Sequence, residues 1–445
     1  MKKLNNLTEG NISKLLLGLA IPIMGSSFLQ MAYGLVDMFW IGRIGSSAVA
    51  AIGTASFFLN LGEAINSIVV MGGGIKVSHS VGSKNYADSD EYISNSFILN
   101  ILIAFIYILI LILFKDSLID FFNLNNILVE KEAKIYLIIV GIGLLFKFNN
   151  LLYVRILNSF GESKLPFKIN SVGVILNIIL DPLLIFGLNL GVAGAAIATI
   201  FSQAVNTHLF MRASRKYFVI DLKINFNKIL TILSMGIPLG IQRILFTGFG
   251  IVIGKIISLF GPDAIAAQKI GLQIEAISYM TVGGLYGATA SFIGQNFGAN
   301  KPSRIVSGYK ISLLIALSIG IFTTIIFTCF PKFLMEIFVK DEKTISSGIG
   351  YLRIVGISQI FMCIEIVTNG SFNGLGQPKI PSIVSVIFTS LRIPLAYYLI
   401  KDFGIDGVWI SISSTSIIKG IITPTLFYLQ LKKFKNYQEE ICEKN

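Results

Sequence analysis

The chain is poor in charge. Only 13% of its 445 residues are Asp, Glu, Lys or Arg, about half the roughly 25% usual in soluble domains. Cysteine is scarce and scattered: Cys329, Cys363 and Cys442 offer neither a disulfide framework nor a metal spacing. The two histidines, His79 and His208, share no motif. There is no Walker loop, no HExxH pair and no nucleophile elbow, so no enzyme is expected. MGGGIKVSHSVG (Met71–Gly82) is Gly-rich, but it follows an apolar run. Its later counterpart LYGATASFIGQNFG (Leu285–Gly298) lacks the glycine run, which speaks against a phosphate loop. No loop is long enough for a soluble domain; the longest, Arg212–Lys228, is a basic linker at the midpoint. A cleavable signal peptide is not expected. The first apolar run follows Lys2, Lys3 and Lys14 but is too long and has no clean cleavage site.

What the chain has in abundance is apolar length. Hydrophobic residues make up 54% of it, and the mean hydropathy is +0.76. Runs of about 20 apolar residues cross a bilayer as helices, which satisfy their own backbone hydrogen bonds in lipid. Twelve such spans are expected, six in each half. The first six run Leu15–Ile41, Ala48–Ile75, Ile93–Phe114, Ile135–Tyr153, Pro166–Leu188 and Val192–Met211. The second six run Ile229–Phe260, Ala264–Phe292, Ile305–Phe330, Tyr351–Phe372, Ile380–Ile400 and Gly407–Leu431. The fold class is therefore an all-α polytopic membrane protein. With the N-terminus inside, 21 Lys and Arg fall on the cytoplasmic side and 8 on the other, so both termini are expected in the cytoplasm. Basic loops account for the net charge of +12 without any nucleic acid.

The midpoint separates two copies of one pattern. LAIPIMGSS (Leu19–Ser27) answers MGIPLGIQR (Met235–Arg243) at an offset of 216. IGSSAVAAIG (Ile44–Gly53) answers FGPDAIAAQK (Phe260–Lys269), and HSVGSKNYA (His79–Ala87) answers QNFGANKPS (Gln295–Ser303), both again at 216. SFGESKLPF (Ser159–Phe167) answers GLGQPKIPS (Gly374–Ser382) at 215, and GVAGAA (Gly191–Ala196) answers GIDGVW (Gly404–Trp409) at 213. An even number of spans per copy makes the repeat parallel, with its axis along the membrane normal. The expected lobes are residues 1–215 and 216–445, the latter with the linker 212–228 ahead of it and a cytoplasmic C-terminal tail.

A few polar residues interrupt the apolar runs. Asp37 lies in LQMAYGLVDMFWIGRIG (Leu29–Gly45). An unpaired charge in hydrocarbon costs about 2.5–3.5 kcal/mol on insertion scales, so such residues mark ion paths, proton relays or substrate sites. Arg43 and Gly45 also allow the plainer reading that Asp37 reaches water near a helix end. In the fifth span Asn177 and Asp181 are four residues apart and share a helix face. Thr199 lies on the sixth. Oxygen ligands suit a hard cation, and paired carboxylates in low dielectric also share a proton. Asp181 reads equally as a cation ligand or as an extracellular cap. Pro166 and Pro182 interrupt the helical ladder; Pro22 is a bending point or a static kink. Tyr33, one turn before Asp37, donates to its carboxylate or simply packs. At the repeat positions of Asp37, Asn177 and Asp181 stand Ile253, Arg392 and Ala396. The second half has its own polar set: Gln242, Arg243, Glu275, Arg353 and Glu365. The two acids either line a cavity for a cationic ligand or neutralise Arg243 and Arg353. Lys147, Lys255 and Lys269 are expected near helix ends, where they snorkel. Without an ATP site, pumping must use an ion gradient.

These motifs resemble the multidrug and toxic compound extrusion (MATE) transporters, in their bacterial DinF-like branch. The resemblance covers nearly the whole chain. It rests on AIP followed by VDMFWIGRIGSSAVAAIG, and on NIILDPLLIFGLNLGVAGAAIAT in the middle. In the second half it rests on GIPLGIQ, FGPDAIAAQKIGLQIEAIS, IGQNFGA, FNGLGQPKIPS and LRIPLAYYL. It implies two six-helix lobes around a central cleft, and export of amphipathic, often cationic organic compounds in exchange for Na+ or H+. It also implies a cation site of Asp37, Asn177, Asp181 and Thr199, with Pro22 as a bendable proline and Tyr33 in support. No cofactor beyond the coupling ion is implied, and the expected state is a monomer among the lipids of a bacterial inner membrane. Other branches carry an acid on the seventh helix where this chain has Gln242 and Arg243, and Glu365 on the tenth is a partial match. A C-lobe ion site is therefore not expected. Two alternatives stay open. A lipid-linked precursor flippase would use Arg243, Arg353 and Arg392, against which stand twelve spans and the Asp37/Asp181 pair. A non-transporting scaffold or receptor has no need of intramembrane carboxylates.

Overall fold

The computed structural model describes residues 6–124, 126–221 and 223–444, with side chains as far as 432. Lys2, Lys3 and the side chains of Lys433, Lys435, Cys442 and Lys444 lie outside what is described. Among the described residues every regular element is a helix. The first half runs α1 (Ile12–Ile44), α2 (Ser46–Gly82), α3 (Tyr86–Leu113), the short α4 (Lys115–Asp120), α5 (Ile127–Ser159), α6 (Lys164–Pro182) with a π turn at Leu183–Gly187, and α7 (Gly191–Ser214). The second runs α8 (Phe226–Ser258), α9 (Pro262–Gly298), α10 (Pro302–Cys329) and the short α11 (Pro331–Glu336). It ends with α12 (Glu342–Ile357), α13 (Gln359–Gly374), α14 (Lys379–Ser390), α15 (Arg392–Phe403) and α16 (Asp406–Lys444). Residues Ser358 and Leu391 are one-residue breaks that join α12 to α13 and α14 to α15. The long helical runs among the described residues thus number twelve, as expected. Nine are apolar and long enough to cross a membrane on composition alone, ten with the bent pair α12–α13. The other two, α7 and α9, are richer in small and polar residues.

The repeat is visible in the dimensions. Helices α1 and α8 are both 33 residues long, α2 and α9 both 37, α3 and α10 both 28, and α4 and α11 both 6. The left-handed turn residues recur as well. Gly45 matches Gly261, Lys84 matches Asn300, Gly161 matches Gly376 and Gly191 matches Gly404, all at positive φ. Each pair lies in one of the repeated sequence blocks. Those blocks carry the chain reversals, where L-residues are strained and Gly or Asn is favoured.

Where the halves part company is stiffness. Helix α5 is continuous, whereas its counterpart breaks at Ser358 and bends by 52°. The sequence Gly356–Ile357–Ser358 supplies a small-residue kink there. The α14/α15 break lies just before Pro394, which lacks an N–H and clashes with the carbonyl four residues back.

Two compact units emerge: unit 1 holds Gly25–Gly240, and unit 2 holds Leu7–Met24 together with Ile241 onward. The division at residue 215 expected from the repeat is therefore not the packing boundary. The reason is close helix contact through small residues. In unit 1, a methyl on Gly236 of α8 would overlap the Ile68 carbonyl of α2, and one on Gly72 would overlap the Ile232 carbonyl. In unit 2, a methyl on Gly284 of α9 would overlap Met24 Cγ of α1, a side-chain atom, and meet the Ala20 carbonyl oxygen and Met24 nitrogen, both at 2.9 Å. The pairs Gly236–Ile68 and Ala20–Gly284 are repeat mates at offset 216, with the glycine exchanged between helices. Gly236→Ala should therefore cost about 1–3 kcal/mol of overpacking and Gly284→Ala less. Thermal unfolding of both variants in detergent checks this; equal stability would count against backbone contact at Gly236.

Candidate cation site

Three helices of unit 1 bring the candidate residues together. Helix α1 carries Tyr33 and Asp37, α6 carries Asn177 and Asp181, and α7 carries Thr199. Asn177 and Asp181 are both 0% exposed, and Asn177 Nδ2 donates to Asp181 Oδ1 at 3.2 Å. The Tyr33 hydroxyl bonds Thr199 Oγ1 at 3.0 Å. The carboxyl groups of Asp37 and Asp181 are close enough to act on one another electrostatically. Three acceptor oxygens in this group have no hydrogen-bond partner: Asp37 Oδ1, Asn177 Oδ1 and Asp181 Oδ2. A buried acceptor without a donor costs about 1–3 kcal/mol. A set of such acceptors, rich in carboxylate, matches the ligand preference of a hard cation.

The local sequence explains the geometry. Pro182 follows Asp181 directly, and the ladder widens there into the π turn. Such turns recur at functional sites. Pro166, expected to interrupt α6, instead lies in its first turn, where a missing N–H is tolerated. Helix α1 runs through Pro22 without a break. It continues to Ile44, and Arg43 packs over the Phe39 and Trp40 rings at 4.4 and 5.3 Å. Asp37 is half-buried nearly two turns inside that end, and the buried Asp181 is no cap facing water. Tyr33 engages Thr199 rather than the Asp37 carboxylate, which corrects that part of the sequence reading.

Asp37, Tyr33 and Thr199 line a cavity of about 260 Å3 within unit 1, along with Tyr136, Glu63, Lys147 and Gln203. Glu63 on α2 and Lys147 on α5 form an ion pair. Sequence reasoning missed this. It passed over Glu63 and sent Lys147 to a helix end, yet Lys147 lies well inside α5. The available signal was two opposite charges, each inside an apolar span.

Among the described residues, unit 2 has no matching site. Ile253 and Ala396, at the repeat positions of Asp37 and Asp181, lie in an apolar core with Tyr351 and Trp409. Arg392 donates to Thr415 Oγ1 at 2.9 Å and Ser416 Oγ at 2.8 Å. Glu275 accepts from the Tyr351 hydroxyl at 3.0 Å. Glu365 pairs with Lys419 at 3.0 Å and accepts from Ser385 Oγ at 2.9 Å. Arg243 and Arg353 are exposed, and no ion pair among the described residues joins them to either acid; Gln242 is half-buried. The expected neutralisation of the acids by these arginines is thus corrected: Lys419, overlooked inside the last span, is the counter-charge of Glu365.

The MatE family model matches residues 22–183 and 238–398, one stretch in each half. A probable multidrug resistance protein NorM of Thermotoga maritima is 28% identical over 95% of this chain and 93% of its own length. A probable multidrug resistance protein YpnP of Bacillus subtilis is 26% identical over 92% and 93%. Among solved structures, an outward-facing multidrug resistance MATE family transporter of the MOP superfamily shares the fold at a TM-score of 0.91 and 20% identity, over 98% of this chain and 100% of that one. A MOP superfamily transporter from Pyrococcus furiosus does so at 0.90 and 21%, over the same shares. The family model matches once on each side of the linker, in step with the internal repeat, and on that evidence the chain belongs to the MatE family.

Proposed function

We propose that this protein is a secondary active multidrug efflux antiporter of the bacterial inner membrane, with both termini in the cytoplasm. It exports amphipathic, often cationic organic compounds in exchange for Na+ or H+. The observation that supports this best is the set of buried, unpaired oxygens on Asp37, Asn177 and Asp181, of which Asp37 also lines a polar cavity. The similar proteins of Thermotoga maritima and Bacillus subtilis, both named as probable multidrug resistance proteins, point the same way. A cation or proton among these groups relieves the repulsion between two carboxylates and ties α1 to α6. Organic substrate and coupling cation then oppose each other through different affinities for two states of the carrier. Each tenfold difference between those affinities corresponds to about 1.4 kcal/mol of coupling.

The test is dye efflux from cells expressing the protein, with Na+ and pH gradients imposed separately. One of the two gradients should drive efflux of an organic cation dye. If neither does, the antiporter reading fails.

A further inference from the structure

The Glu63–Lys147 pair plays no part in the scheme above, yet it shares the cavity of Asp37. Lys147 is the single ammonium on that cavity wall, and Asp37 and Glu63 are its two carboxylates. The pairing is held in register by the neighbouring residues. Gly62, next to Glu63, has no side chain, and Phe148, next to Lys147, approaches to 3.3 Å of where one would begin. The Tyr107 ring closes on the same glycine, and its hydroxyl donates to the Phe58 carbonyl at 2.6 Å. Phe148 is fully buried. The backbones at 63 and 147 are thus clamped, while the lysine ammonium rides on a flexible four-carbon stem. Glu63 is what detains it.

On the cation-site reading above, we infer that Glu63 is a positioning residue that restrains a built-in competitor: it keeps the Lys147 ammonium away from Asp37 so that an external cation can occupy that site. The Lys147 and Glu63 side chains are partly exposed, at 38% and 28%, and an ammonium that loses its counter-charge is drawn to the next available carboxylate. Freed from Glu63, Lys147 shares the cavity with Asp37, whose Oδ1 lacks a partner. A tethered group competes at an effective concentration on the order of millimolar, with no entropy of capture from solution. The coupling cation, arriving from bulk, must displace it.

The experiment uses the full chain in proteoliposomes and reads the concentration of the driving cation, Na+ or H+, that gives half-maximal dye efflux. Glu63→Gln should raise that concentration at least tenfold. Lys147→Met should lower it, because the competitor is gone and Glu63 adds a carboxylate to the cavity. The double variant should lie close to Lys147→Met. An ion pair with only a structural role would make the two single variants move together. Equal shifts in the same direction, or a double variant as impaired as Glu63→Gln, overturn the inference. If Glu63→Gln is not recovered folded, Glu63→Asp withdraws the carboxylate by one methylene and should give a smaller rise; no rise overturns the inference as well. Asp37→Asn, run alongside, separates the two readings. If wild type shows no cation dependence, both fail. If wild type shows it, Asp37→Asn loses it, and Glu63→Gln behaves as wild type, only this inference fails.

Discussion

Asp37→Asn is expected to fold and insert as wild type does, yet to lose gradient-driven efflux. The amide keeps the size and planarity of the carboxylate, so the packing of α1 is preserved. It also removes the like-charge contact with Asp181, so stability should not fall. What disappears is the charge that makes a cation worth binding. With one carboxylate instead of two, apparent cation affinity should drop at least tenfold, or about 1.4 kcal/mol, and export should no longer respond to the imposed gradient. Efflux of a cationic dye in whole cells measures the transport, and thermal unfolding in detergent measures the fold. Wild-type efflux from a well-expressed Asp37→Asn variant would sink the site assignment. Asp181→Asn should behave alike, since Asp181 also carries a buried, unpaired carboxylate oxygen.

The largest loss of stability is expected in unit 2, at Lys419→Met. Glu365 and Lys419 are each about 7% exposed and pair at 3.0 Å. Removing the ammonium leaves Glu365 with the Ser385 hydroxyl alone. Breaking a buried pair from one side costs about 3–5 kcal/mol, because the remaining charge is uncompensated, whereas replacing both partners is often close to neutral. Lys419→Met should therefore be recovered poorly and unfold at a much lower temperature, and Glu365→Gln/Lys419→Met should regain most of the loss. The repeat hints that neutrality is tolerated. At offsets of 215 and 213, unit 1 places Asn150 and Asn206 where unit 2 places Glu365 and Lys419. A double variant no more stable than Lys419→Met would show that the pair itself, and not mere charge balance, holds this region.

Most of the architecture was legible because its signals are local. Apolar length marks the spans, and the repeated blocks mark the turns, since Gly45, Gly161, Gly191 and Lys84 occupy left-handed positions that recur in the second half. Asn177 and Asp181 were legible for the same reason, being one helical turn apart. What escaped depends on which helices touch. The Tyr33–Thr199 bond spans 166 residues of sequence, and nothing near Tyr33 announces it. Lys147 looked like a snorkelling side chain because Glu63 lies on another helix, and Lys419 looked incidental for want of Glu365. The packing boundary at Gly240 was hidden too. It is set by contacts such as Gly236 on Ile68 that no one-dimensional pattern displays.

The unequal helices α5 and α12–α13 have a mechanical consequence. The two halves copy each other's dimensions, but not their compliance. Unit 2 has a knee at Ser358 where unit 1 has a strut. A strain that unit 2 absorbs by flexing at that joint must go elsewhere in unit 1. Unit 1 has its own break in regular α-helix at the π turn that begins two residues beyond Asp181. That irregular turn adjoins Asp181, so on the proposed cation-site reading, bending there and loading of the carboxylates should be a single event.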